Sequence, residues 1–133
     1  MQLIASLFLP LLMLFHLVGP VPGDLGVHNG QLSPCPSPAH CASRSWNPAD
    51  PQAGFETLAE AAADLPRSVV VERDDGYLHT QVSSALFGFV DDLELLRLKE
   101  GQEVQARSIS RLGDSDLGVN ARRLMKLDAA LEG

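Results

Sequence analysis

Cysteine is scarce in this chain. Two occurrences in 133 residues are too few for a disulfide-dense miniprotein or a four-cysteine zinc module. Basic side chains are also in deficit, with 10 Lys and Arg against 17 Asp and Glu and a formal charge of −7. That balance argues against non-specific nucleic-acid binding, which needs a basic face to neutralise phosphates. No phosphate loop or dinucleotide fingerprint occurs either. Residues 1–23 contain no Asp, Glu, Lys or Arg, so the whole charge falls on residues 24–133. The full chain is 45% apolar and 20% charged, a composition close to that of a folded soluble protein, and its length suits one domain.

The longest apolar stretch, Leu3 to Val18, is interrupted only by polar or helix-breaking residues such as Pro10 and His16. It is short for a bilayer span, which takes about 20 residues, and it suits the apolar region of a secretory signal. Val21-Pro22-Gly23 before Asp24 offers a small residue at a cleavage position. No Lys or Arg precedes the run, so an uncleaved membrane anchor is the alternative, with Pro20 and Pro22 ending its helix. Leu32-Ser33-Pro34 before Cys35 lacks the small residue of a lipidation site. The expectation is export, with residues 1–23 as signal peptide or N-terminal anchor and any membrane contact confined to them.

Cys35-Pro36-Ser37-Pro38-Ala39-His40-Cys41 sets two thiols six positions apart in a proline-bent loop. In an oxidising compartment the simplest reading is a local disulfide between Cys35 and Cys41 that pins a flexible arm. A redox pair more often has two intervening residues, and a metal site using His40 lacks an identifiable third ligand. Residues 24–50 hold four of the nine prolines and show no strand or helix period, which predicts an irregular arm laid over the domain, with Trp46 anchoring it.

Residues 51–133 read as the domain. Asp50 caps a helix with Pro51 in its first position, and Phe55, Leu58, Ala62 and Leu65 form its apolar stripe. Four strands follow, over residues 68–72, 77–82, about 87–98 and 103–110, with Asp75-Gly76 and Glu100-Gly101 as hairpin turns. A second helix from about Asp116 to Leu131 turns Leu117, Leu124, Leu127 and Leu131 inward, capped by Ser115 or Asp116. The predicted class is α+β: a single domain with a four-stranded antiparallel sheet carrying two helices on one face, preceded by the disulfide-pinned arm.

A loop at Glu100-Gly101 makes residues whose numbers sum to 201 face each other. Glu94 then opposes Arg107, Leu95 opposes Ala106 and Leu93 opposes Ser108, while Asp92 lies diagonal to Arg107 and Arg111. A one-residue slip would scatter the set. Asn120 falls within the apolar stripe of the last helix, where an unpaired amide would cost about 1–3 kcal/mol, and Arg123 flanks that stripe.

Three blocks carry a family resemblance: Cys35 to Cys41, Phe87-Gly88-Phe89-Val90-Asp91-Asp92-Leu93-Glu94, and Arg107-Ser108-Ile109-Ser110-Arg111 continuing through Gly113, Asp116, Gly118, Asn120 and Arg123. With Tyr77-Leu78-His79, they make the chain similar to the family known as domain of unknown function 1499, found in bacteria and in chloroplast-bearing organisms. His40 stands where that family usually has Asn, and the segment between Cys41 and the first helix is shorter. The resemblance implies export, to a periplasm or thylakoid lumen, and a fold; it names no activity.

The candidate site is thus His79, Asp92, Glu94, Arg107, Ser108, Ser110, Arg111, Asp116, Asn120 and Arg123. Such a cluster is foremost a structural ion-pair and capping network. Read as a ligand site, it places Arg107, Arg111 or Arg123 against a small anion beside a helix N-terminus. A hydrolase would need His79 near Ser108 or Ser110 as base and nucleophile, and no catalytic residue is assigned. No metal set with diagnostic spacing and no cofactor is expected. The expectation is a non-enzymatic interaction or assembly module meeting a protein partner, with anion binding as the alternative. Exposure of Phe87 and Phe89 would favour the first; vacant arginine donors would favour the second.

Overall fold

A computed structural model describes residues 18–113 and 115–133. The signal or anchor reading therefore falls largely on residues outside the described ones. Among the described residues no helix is long and apolar enough to cross a membrane.

Helix α1 (Pro51–Ala63) begins where proline's missing N–H is harmless and the Asp50 carboxylate accepts from Ala53 N at 3.0 Å. Its Phe55, Leu58, Ala59 and Ala62 are fully buried. Gly54 on the same helix is buried under Pro48, where the chain entering the helix folds back so closely that a Cβ would sit 2.6 Å from Pro48 Cγ. Helix α2 (Val119–Glu132) contributes Leu124 and Leu127. Leu117, expected to face inward, instead lies in the turn before α2, at φ 54° and 83% exposed.

The strands are β1 (Val27–His28), β2 (Gln31–Leu32), β3 (Cys41–Trp46), β4 (Ser68–Arg73), β5 (Tyr77–Ser83), β6 (Val90–Arg97) and β7 (Val104–Ser110). The main sheet is five-stranded, not four-stranded, in the antiparallel order β3-β7-β6-β5-β4, and β1-β2 form a separate two-stranded hairpin. The extra strands come from the segment read as an irregular arm. Residues 41–46, Cys-Ala-Ser-Arg-Ser-Trp, carry no apolar alternation; they become a strand because β7 presents an open edge for them to pair with, in the register Cys41 with Ile109 through Trp46 with Val104. β6 begins at Val90, later than expected. Phe87 and Phe89 belong to the preceding loop, where Ser84 and Phe89 exchange hydrogen bonds and close the turn.

The β6–β7 register is the one expected: Glu94 opposes Arg107, Leu95 opposes Ala106 and Leu93 opposes Ser108. Both helices cover one face of the sheet, burying Leu78, Val82, Leu93, Leu95, Val104 and Ala106. The arm covers the other face, so β5 through β7 are buried on both sides. The Cys35–Cys41 disulfide is formed, and Trp46 Nε1 donates to Asp128 Oδ1 on α2 at 2.8 Å, tying the arm to the helical layer.

Candidate functional site

The pleat divides the ten candidate residues between two faces. Side chains two apart share a face, so His79, Asp92, Glu94 and Arg107 point toward the arm, and Ser108 and Ser110 toward the helices. The single polar cluster read from the sequence is therefore two networks.

On the arm face, Arg107 is 1% exposed and opposes a fully buried Glu94. Its Nε and Nη2 donate to Glu94 Oε1 at 3.3 and 3.1 Å. Its Nη1 and Nη2 donate to Asp24 Oδ2 and Oδ1 at 2.8 and 3.0 Å, and Nη1 also reaches the Pro34 carbonyl at 3.4 Å. A guanidinium has five N–H donors, and these five contacts use them all. The other Glu94 oxygen accepts from Tyr77 Oη and Gly26 N, each at 2.7 Å. Burial and the Glu94 carboxylate together raise the Tyr77 phenol well above its usual range, so it stays a donor. The arm supplies Asp24, Gly26 and Pro34. Asp24 was missed in the sequence because it lies 83 residues from Arg107 in an arm without periodicity; its hydrogen bond with Arg107 holds its carboxyl below the usual range.

Beside this network, Arg111 Nε and Nη2 donate to Asp92 Oδ2 and Oδ1 at 2.8 and 3.1 Å, a bidentate pair, and His79 Nε2 lies 2.7 Å from the same Oδ1. Burial pushes the Asp92 carboxyl up, but the hydrogen bonds from His79 and Arg111 outweigh it and leave it lowered. Asp92 turns to Arg111 rather than to Arg107, whose donors are taken.

On the helix face, Asn120 is fully buried and fully engaged. Its Nδ2 donates to Asp116 Oδ2, Ser110 Oγ and the His40 carbonyl at 2.7, 2.8 and 3.2 Å, and its Oδ1 accepts from Ser108 Oγ and Arg123 Nη1 at 2.7 and 2.9 Å. Arg123 Nη1 also pairs with Asp91 Oδ2 at 2.8 Å. The Asp116 carboxylate accepts from the Gly118 and Asn120 backbone N–H groups, which occupies the start of α2 from within the chain. Burial raises the Asp116 carboxyl, yet the Asn120 amide and these backbone donors leave it lowered.

The arrangement separates the groups a hydrolase would need. His79 is on the arm face against Asp92, and Ser108 is on the helix face against Asn120 and Arg123. Among the described residues no three His, Cys, Asp or Glu side chains converge as ligands for a metal. Of the two networks, Asp91 and Arg123 line a groove of about 360 Å³ that also holds Arg67, Arg122 and Lys126.

All ten candidate residues fall within a stretch that a family model recognises, the one described as a protein of unknown function, DUF1499, which matches residues 30–131. The chain belongs to the DUF1499 family. Within this DUF1499 protein the match takes in both cysteines, the whole main sheet and the Asn120 network, and leaves out Asp24 and Gly26, the arm residues that close over Arg107 and Glu94. No match is found among the curated proteins.

Proposed function

We propose that this protein is an exported, non-enzymatic interaction or assembly module. The observation that carries the reading is a contrast in where reactive surface is left over. The buried charges are spent on one another, with all five Arg107 donors engaged, whereas apolar side chains stand in water. Leu86 is 81% exposed, Phe87 53% and Phe89 39%, and Val69, Val70 and Val71 are exposed on the edge strand β4. Exposed apolar groups on a loop and along a sheet edge are what a partner covers. The Cys35–Cys41 disulfide supports an oxidising compartment, periplasm or thylakoid lumen.

The test is a thermal-shift screen of the oxidised protein against anions, metal ions, pigments and common metabolites. A ligand at a hundredfold excess over its Kd adds about 2.7 kcal/mol, so true pocket occupancy is readily seen. The expected result is no shift from any of them. A shift that disappears when Asp24→Asn or Asp92→Asn reopens or removes a network would replace the interaction reading with ligand binding.

A further inference from the structure

The exposed apolar loop is one part of a larger surface at a single end of the sheet. β5 and β6 meet there at Ser83 and Val90, and β6 and β7 at Asp91 and Ser110. The Arg67 carbonyl accepts from Ser83 N, which brings the α1–β4 turn to the same end. The start of α2 completes it, with Arg122 Nη1 donating to the Leu117 carbonyl at 2.9 Å. Leu86, Phe87 and Phe89 project from one loop and Leu117 from another.

The charge of the groove at this end opposes that of the whole chain, although Asp116 stands in the neighbouring loop. Arg67, Arg122, Arg123 and Lys126 line the groove behind the loops with Asp91 as the acidic residue, already paired to Arg123. Four of ten basic residues thus meet at one end of a chain of net charge −7. Leu117 adds a second oddity: a left-handed backbone position, which disfavours side chains with a Cβ, holds a leucine that packs against little of the protein. Folding does not explain the choice, whereas presentation of an apolar group does.

The N-terminal segment enters at this end as well. Gly19 lies so close to Leu112 that a Cβ would approach its Cγ to 2.7 Å and Arg111 Cβ to 3.0 Å, and Arg111 N bonds the Val90 carbonyl. The described chain therefore begins at this end of the sheet, with Gly19 against Leu112 and Arg111.

We propose that this end of the domain docks on an anionic bilayer surface, with Leu86, Phe87 and Leu117 entering the acyl boundary and Arg67, Arg122 and Lys126 meeting lipid headgroups. Apolar tips flanked by cations are the composition of interfacial membrane binders, and an acidic chain gains such attraction only through a local basic patch. The inference rests on the interaction reading and names its partner.

The sole tryptophan provides an internal control. Trp46 pairs with Val104, which opposes Arg97 at the far end of β6, roughly 23 Å along the strand from Val90. The full chain, wild type and Leu86→Trp, is reconstituted in phosphatidylcholine vesicles with and without phosphatidylglycerol, each carrying brominated acyl chains. Leu86 is exposed, so the substitution leaves the core untouched. The expected result is emission quenched by bromolipid in Leu86→Trp and not in wild type, more strongly when phosphatidylglycerol is present. In the Leu86→Trp background, Arg122→Glu with Lys126→Glu should lower the docked fraction by roughly fivefold per charge. Leu117→Asn should lower it while raising Tm, because strain is relieved. Equal quenching of the two chains, or quenching indifferent to the anionic lipid and to the charge reversal, overturns the proposal. No quenching in either chain together with no ligand in the thermal-shift screen also overturns it, and leaves the interaction reading with a protein as the partner.

Discussion

Arg107 and Asp24 show how differently two ends of one ion pair weigh. Arg107 is 1% exposed and shares its donors between Glu94, fully buried, and Asp24, whose side chain is 44% exposed. Removing Arg107 strands a buried carboxylate, a change that costs about 3–5 kcal/mol. Removing the Asp24 charge leaves Arg107 with its main partner and a water-accessible replacement, at no more than about 1 kcal/mol. Urea unfolding of Arg107→Ala and Asp24→Asn should therefore separate by more than about 2 kcal/mol; equal losses would mean that the arm, not the sheet, holds the guanidinium. The opposite sign is expected at Thr80. Its hydroxyl is fully buried on the helix face and has no hydrogen-bond partner among the described residues. Thr80→Val keeps the shape and removes an unsatisfied polar group, so it should stabilise by about 1 kcal/mol or more in the same assay.

Among the elements, the arm behaves least like its sequence. Where a strand has its own period, sequence and fold agree: the Glu100-Gly101 turn sets a register that the structure reproduces residue for residue from Asp91 to Arg97, and the fully buried Asn120 finds partners as its place in the stripe of α2 requires. Residues 41–46 have no period because β3 is recruited by an open neighbour, so its signal lies in β7 rather than in itself. The split of the polar residues into two networks was hidden for a related reason. The pleat does separate Arg107 from Ser108, but Asp24 and the His40 carbonyl, which complete the two networks, come from the aperiodic arm. That arm is held by the disulfide, by Asp24 and by Trp46. A ring closed over seven residues accounts for about 2–3 kcal/mol in the chain-entropy model. The pair Cys35→Ser and Cys41→Ser should lower stability by that amount and raise hydrogen exchange in 24–40 more than in β5 or β6. A uniform rise across the sheet would show that β3 and the main sheet unfold together.

For the whole molecule, acid is the most informative perturbation, because two electrostatic effects predict opposite outcomes. The chain carries −7, and its self-repulsion falls as carboxylates are protonated, which favours the folded state at lower pH. Against this, Asp24, Asp92 and Asp116 are all held below the ordinary value of 3.8 by the hydrogen bonds described above, as is Asp128 by Trp46 and Arg44. For these groups the unfolded chain binds protons before the native one does, so stability rises with pH through the titration. Their contribution is fully present above the unfolded value and is lost as pH falls through the lower folded values. Range decides between the two effects. Surface repulsion acts over distances that physiological salt screens beyond about 8 Å, whereas Arg111 Nε and Asp92 Oδ2 are 2.8 Å apart, with Asp92 fully buried. The urea midpoint should therefore be level above about pH 5 and fall below about pH 4. The fall should persist in high salt, which would abolish an effect of net charge. It should be shallower in Asp92→Asn, which removes the carboxylate held by both His79 and Arg111, and nearly unchanged in Asp128→Asn, whose own side chain is 30% exposed and whose ion-pair partner Arg44 is exposed. A stability maximum near pH 4 would assign the pH response to net charge and mean that the buried pairs contribute little to it.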